Sequence, residues 1–464
     1  MSSLSFPRPA EIHGPPRLPK YAYPGVPVQI SSVYPPPEPL PRPDLPTPQR
    51  KPIWDGDTRI PYNLSTHIVP AAYHREDSDV ELPGLLPSDG SMSKEERKAF
   101  VQKSEATLRE IRRTYEETGY KPQQKLLWLC LNRYYRTSDV KGGYTLFCAH
   151  ANGFHKAEWE PTILSLLSSP ETQSLVQELW VWDVVSHGDS ALLNKGKLTT
   201  MMYTRTVARD LLTFLTHFLP TSFSSAPLPV HLDRVPQPEV ERRLRSGFLG
   251  SDSPRLPICA FGHSFGGAVS PMAALSHPSL FASLFLVDPV ILYPTVDIFY
   301  VPHFLALGAL SRRAVWKTRE EARKGFLQSP FFRAWDPRVL ELYVEAGLYQ
   351  DEDGLIRLKT SPVQEAIIFN DAEIGAPEVW TRLHRQELDP RIKLRWAMHG
   401  PGHPQLDARP NATQHRVWLR PENSSHFVVE DCSHLIVHEK PEVLGKEMEK
   451  YLKEISTAET RARL

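Results

Sequence analysis

The stretch Pro257 to Ala274, PICAFGHSFGGAVSPMAA, runs from apolar residues through Gly262-His263-Ser264-Phe265-Gly266-Gly267 into a series of small residues. A serine with glycine two positions away on either side, after a strand and before a helix, is the pattern of a nucleophile elbow. There a tight strand-to-helix turn projects the hydroxyl, and glycines avoid clashes that a Cβ would cause. The chemistry this suits is attack by Ser264 on a carbonyl carbon. The structural alternative is a tight turn in a non-catalytic scaffold.

A serine hydroxyl attacks well only when a base takes its proton, and behind this kind of elbow the order along the chain is Ser, acid, His. Phe427 to Glu442, FVVEDCSHLIVHEKPE, reads as a short strand, a turn and a helix, with His434 at the turn as the expected base. His438, four residues on, is the alternative. The two could mimic a zinc pair, but no Glu follows the first His and no third ligand suggests itself, so no metal is expected. His426, before the strand, reads as a surface residue. For the acid, Asp288 in LFLVDPV lies 24 residues past Ser264, one helix and one strand later. The alternative is Asp407, the first carboxylate after the late strand KLRWAM. Acyl transfer also needs donors for a developing oxyanion. The expected donors are the backbone N–H of Phe265 and Asn152, in His150-Ala151-Asn152-Gly153, whose side-chain amide could add another. Asp183 and His187 read as structural braces.

These residues must be carried by elements that end at one edge. Leu64 to Tyr73, Lys125 to Tyr135, Tyr144 to His150, Leu179 to Val185, Pro257 to Phe261, Leu284 to Val287 and Lys393 to Met398 are short apolar runs. Most are separated by helical patterns, Ser93 to Thr118 and Thr206 to Phe218 among them. Buried parallel strands look like this, which predicts an α/β fold with a mostly parallel, doubly wound sheet and chemistry at the carboxyl ends of its strands. The chain's 464 residues would by length alone hold two or three domains of roughly 150 each. One interrupted domain explains the length better. Fifteen of the 45 prolines lie in residues 1–50, and 1–55 reads as a disordered leader, because proline lacks the N–H that sheets and helices need. Core sequence then runs over 56–290, with 219–256 as a Pro/Ser/Arg-rich surface insertion. Residues 291–390 read as a helical cap, 391–455 as returning core and 456–464 as a tail. Within the cap, Ile298, Phe299, Tyr300, Val301, Phe304 and Leu305 could line an acyl pocket.

Formal charge is zero, 54 Lys+Arg against 54 Asp+Glu, so no basic field points to nucleic acid. Four scattered cysteines argue against a zinc knuckle or disulfide framework. No secretory h-region and no 20-residue apolar span is present.

Asn152 after His150-Ala151, Trp182-Asp183…His187-Gly188-Asp189-Ser190, the Ser264 elbow, and His434 before His438-Glu439-Lys440-Pro441-Glu442 together resemble the α/β-hydrolase superfamily over about residues 60–455. HIVPAAYHRE at 67–76 and HANGFHKAEWEP at 150–161 are similar to a fungal branch that includes a peroxisomal lipase-type hydrolase and hydrolases of host-selective toxin pathways. The resemblance implies an ester or thioester substrate and no cofactor. Similarity to haloalkane dehalogenases stops at Ser264, where those enzymes need Asp, which disfavours carbon–halogen and epoxide chemistry. Ala462-Arg463-Leu464 is similar to the Ser-Lys-Leu peroxisomal address and implies an import receptor as partner, with cytoplasm as the alternative location. The expected function is thus a serine hydrolase of apolar carboxylic esters, lipase- or esterase-like. The alternatives are an acyl-CoA thioesterase with the same triad and a silent scaffold.

Overall fold

The computed structural model describes residues 6–12, 33–77, 80–87, 90–118, 121–138, 142–250, 252–293, 303–407 and 409–463. Its centre is an eight-stranded sheet: β1 (Tyr62–Pro70), β2 (Trp128–Arg136), β3 (Tyr144–Ala149), β4 (Val176–Asp183), β5 (Ile258–His263), β6 (Phe281–Val287), β7 (Lys393–His399) and β8 (Ser424–Val429). The spatial order is β1-β2-β4-β3-β5-β6-β7-β8. β2 is antiparallel to β1 and to β4, and the remaining pairings are parallel.

Because side chains alternate along a strand, each apolar run supplies two cores. Phe147, Ala149, Ala260, Trp180 and Trp182 face one side, where they meet helices α3 (Thr204–Thr213), α4 (Gly266–Ser276) and α5 (Pro362–His384). Leu146, Cys148, Phe261 and Val181 face the other, against α2 (Glu160–Leu167) and α6 (Pro441–Arg463). Each fully buried Leu, Ile or Phe contributes about 1.5–3 kcal/mol, so these two layers dominate the stability of the frame that carries the site. The remaining long helix, α1 (Lys94–Thr118), opens with a capping box: Ser93 N–H donates to Glu96 Oε2 (2.7 Å) and Glu96 N–H to Ser93 Oγ (3.2 Å).

Three expectations about the chain's segments change. The leader forms no helix or strand in its described part, but residues 33–55 are anchored rather than loose. Trp54 is buried and donates Nε1–H to Tyr62 O (2.9 Å), Arg50 pairs with buried Glu160, and Thr47 Oγ1 donates to Asp189 Oδ1 (3.1 Å). Proline removes backbone donors and leaves side-chain anchors free to form. The 219–256 segment lies at the surface only in part: Ile68 N–H donates to Val230 O (2.7 Å), and buried Arg255 pairs with Glu178 Oε1 (2.6 Å).

The cap is helical, with Phe304–Ser311, Arg319–Gln328 and Pro337–Ala346, but it also holds a three-stranded antiparallel sheet of Val315–Trp316, Leu348–Gln350 and Ile356–Leu358. It ends earlier than residue 390, because Val379, Trp380 and Leu383 of α5 pack into the sheet's own core. Its separate core, Trp316, Phe326, Trp335, Val339 and Tyr343, includes Ala151, Phe154 and Leu435 from the loops below. Among the described residues no helix is long and apolar enough to cross a membrane.

Candidate active site

β5 ends at His263 and α4 begins at Gly266, leaving a two-residue turn in which Ser264 takes the left-handed conformation, φ 53°. The turn is clamped to the end of β6: Ser264 N–H donates to Val287 O, and Val290 N–H donates to Ser264 O, both at 2.9 Å. A Cβ added at Gly262 would sit 2.3 Å from Gly266 O, and one at Gly266 would sit 2.5 Å from Ala149 O, so both glycines are required by close backbone approach.

The structure brings Ser264, His434 and Asp288 together. His434 Nε2 is 2.8 Å from Ser264 Oγ, and His434 Nδ1 is 2.7 Å from Asp288 Oδ2. Asp288 stands one residue beyond β6, fully buried, with its N–H donating to Ala397 O (2.8 Å). Burial alone would push its carboxyl up. His434 and the Arg416 guanidinium, with N–H bonds from His399 and His434, instead hold it well below the usual carboxylate range. An ionised carboxylate only accepts, so His434 Nδ1 carries the ring proton and Nε2 is left to accept from Ser264. Asp407 is not part of this group: its carboxylate forks onto Arg409.

Phe265, directly after Ser264, is the N-cap of α4, so its backbone N–H, the first expected oxyanion donor, belongs to the helix's N-terminal end. The turn after β3 holds the second expected donor. One N–H of the Asn152 side-chain amide, read as a spare donor, is committed elsewhere, because Nδ2 donates to Glu365 O on α5 (2.9 Å). The backbone N–H and the second amide N–H are this residue's candidate contributions. The turn itself is fixed from the neighbouring loop: Gly153 N–H donates to His187 Nε2 (2.9 Å), Val184 N–H to His150 Nε2 (3.1 Å), and Asp183 accepts from Lys156 N–H (2.8 Å) and Nζ (2.7 Å). Asp183 and His187 are therefore placed as braces for that turn.

His438 Nε2 lies 2.7 Å from Glu158 Oε2, with both groups buried, whereas His434 Nε2 meets Ser264 Oγ. Burial pushes the His438 ring well below its usual value and the Glu158 carboxyl well above its own. His263, under the elbow, donates to His434 O (3.0 Å), and burial first, then the nearby His434, pushes it down to about 3. His426 is half-buried and accepts from Phe6 N–H (2.8 Å). In the expected acyl stripe, Phe304 is 71% exposed, whereas Ile298 to Val301 lie outside the described residues, as does Leu464.

Two residues at the site were not found from the sequence. His399, at the end of β7, places Nδ1 2.7 Å from Asp288 Oδ2, and Arg416 places Nη2 3.0 Å from Asp288 Oδ1. The only hint was a histidine at a strand end where a carboxylate was sought.

The model of the alpha/beta hydrolase family matches residues 146–446. An abhydrolase domain-containing protein of Alternaria alternata, ACTT2-1, is 34% identical over 121 residues, 24% of this chain and 44% of that protein. The type I acyl-CoA thioesterase mpaH of Penicillium brevicompactum is 30% identical over 199 residues, 42% of this chain and 38% of that protein. The chain thus spans less than half the length of the curated relatives it matches. Among solved structures, the peroxisomal alpha-beta-hydrolase Lpx1 of Saccharomyces cerevisiae superposes with a TM-score of 0.59 at 17% identity, over 86% of this chain and 90% of that one.

Proposed function

This chain belongs to the alpha/beta hydrolase family, and from that premise we propose that it is a serine hydrolase cleaving carboxylic esters of an apolar acyl group through an acyl-enzyme. The observation that carries this reading is the continuous relay from Ser264 Oγ to His434 Nε2 (2.8 Å) and from His434 Nδ1 to Asp288 Oδ2 (2.7 Å). In the proposed reaction Ser264 Oγ attacks the ester carbonyl while His434 Nε2 takes its proton. Asp288 holds the ring in the required tautomer and stabilises the imidazolium, and the amides of Phe265 and Asn152 meet the oxyanion. His434 then returns the proton to the leaving alcohol, and water, activated by the same ring, resolves the acyl-enzyme. An apolar acyl group is supported by the cap's aromatic core, which reaches down to Phe154 beside the oxyanion turn and to Leu435 beside His434.

The thioester reading uses the same groups and is favoured by one observation, the mpaH thioesterases among the relatives. Turnover of p-nitrophenyl esters of rising chain length, run beside release of thiol from acyl-CoA, separates the two. Ester turnover lost in Ser264→Ala supports the ester proposal; thiol release with no ester turnover transfers it to thioesters; neither activity in folded protein sinks both. The peroxisomal address is likewise a proposal. A fluorescent fusion whose punctate signal disperses when Leu464 is deleted supports it, and a signal unchanged by the deletion contradicts it.

A further inference from the structure

Asp288 Oδ2 is approached by two imidazoles: His434 Nδ1 from the turn after β8 and His399 Nδ1 from the end of β7, each at 2.7 Å. Oδ1 is taken by Arg416 Nη2 at 3.0 Å, and the same guanidinium donates Nη1–H to Pro289 O (2.8 Å). His399 is fully buried, and its Nε2 faces Pro404 O at 3.3 Å. Orienting a base needs one carboxylate oxygen and one N–H. Here the carboxylate holds three charge-assisted donors and cannot rotate without breaking them.

We propose that His399 is a positioning residue of the hydrolytic relay: by sharing Asp288 Oδ2 with His434 it fixes the carboxylate plane and weakens the carboxylate's pull on the His434 ring. This rests on the serine-hydrolase reading of the site. The physical step is short. Each N–H bonded to an ionised carboxylate lowers its basicity, so Oδ2 with two donors stabilises the His434 imidazolium less than Oδ2 with one. Other charged and titratable groups around the relay come from every packed element. His263 on β5 and His438 after the turn are both pushed down by burial, Arg416 sits on the Ala412–Val417 helix, and Asp407 acts on Arg416 from the intervening loop while held by Arg409. Among these described groups, Arg416 is the fixed cation at Asp288, which leaves His399 to adjust the remaining oxygen.

The test compares His399→Leu with His399→Gln, whose amide N–H can still reach Oδ2. In kcat/KM against pH, His399→Leu is expected to lower the plateau about ten-fold and to move the acid limb up by about half a pH unit, with KM changed less than about two-fold. His399→Gln recovers most of both. An unmoved acid limb in His399→Leu, with any rate loss tracking loss of thermal stability equally in both variants, overturns the proposal. A second readout needs no turnover. In Ser264→Ala protein, proton NMR is expected to show two far-downfield N–H signals, one from each ring on Oδ2, and His399→Gln leaves one. A single signal before that change contradicts the shared carboxylate. Failure of the hydrolase reading appears instead as absent turnover with both signals present.

Discussion

Two carboxylate–histidine pairs flank the same turn. Asp288 meets His434 and Glu158 meets His438, each at 2.7 Å, with the two histidines four residues apart and both carboxylates fully or nearly fully buried. Their electrostatics are opposite. At Asp288, His434 and then the Arg416 guanidinium, with the N–H bonds from His399 and His434, outweigh burial and keep the carboxylate ionised. At Glu158, burial and the nearby Asp183 raise the carboxyl well above its ordinary range, and burial lowers His438. The first pair is poised to stabilise a charge that appears on His434; the second is a neutral hydrogen-bonded bolt between α2's approach and the turn. A buried Asp/Glu–His contact is therefore no relay by itself, and the cation behind the carboxylate decides which of the two it becomes.

Substitutions can break this contrast. The largest effect is expected for Asp288→Asn, which should lower kcat about 10⁴-fold by misplacing the His434 tautomer. Glu158→Gln, an uncharged isostere of a protonated acid, should stay within about three-fold of the parent in the same ester assay. Loss of both activities alike would erase the distinction. Next, Arg416→Met should cost about 3 kcal/mol in denaturant unfolding, because it leaves the Asp288 charge buried without its cation.

A smaller effect should separate the pairs by pH. Asp288 is depressed from 3.8, so its contribution to stability is present above that value and lost as pH falls through the lower, folded value. Glu158 is raised from 4.5, so its contribution is present below 4.5 and fades as pH rises through the higher, folded value. The melting temperature of Glu158→Gln relative to the parent should thus climb between pH 5 and 8, by about 1–2 °C, whereas that of Asp288→Asn should not. The smallest change is expected for Asp407→Asn, within about two-fold in kcat, since its carboxylate is forked onto Arg409 and acts on Arg416 only at longer range. A large drop there would reopen the choice of acid.

Much of the frame was legible because its signals are local. The apolar runs of β3, β5, β6 and β7 each end within a few residues of the expected place, and the elbow announces itself in Gly262 to Gly267. Asp288 followed from one-helix, one-strand spacing. What stayed hidden depends on contacts between distant segments. His399 and Arg416 reach Asp288 across 111 and 128 residues, and no periodicity encodes that meeting. The proline count predicts a disordered leader and says nothing of Arg50 or Trp54, whose side chains tie its described part to the core. The cap's strands are two or three residues long, too short for alternation to show.

The central claim, that Ser264 is an activated nucleophile, is tested most directly by reacting folded protein with a fluorophosphonate and mapping the modified peptide by mass spectrometry. The account expects one adduct on the peptide containing Ser264, formed at least about 10³-fold more slowly in Asp288→Asn and absent in Ser264→Ala. Folded protein that takes up no label, or Ser264→Ala protein labelled as fast as the parent, would contradict it.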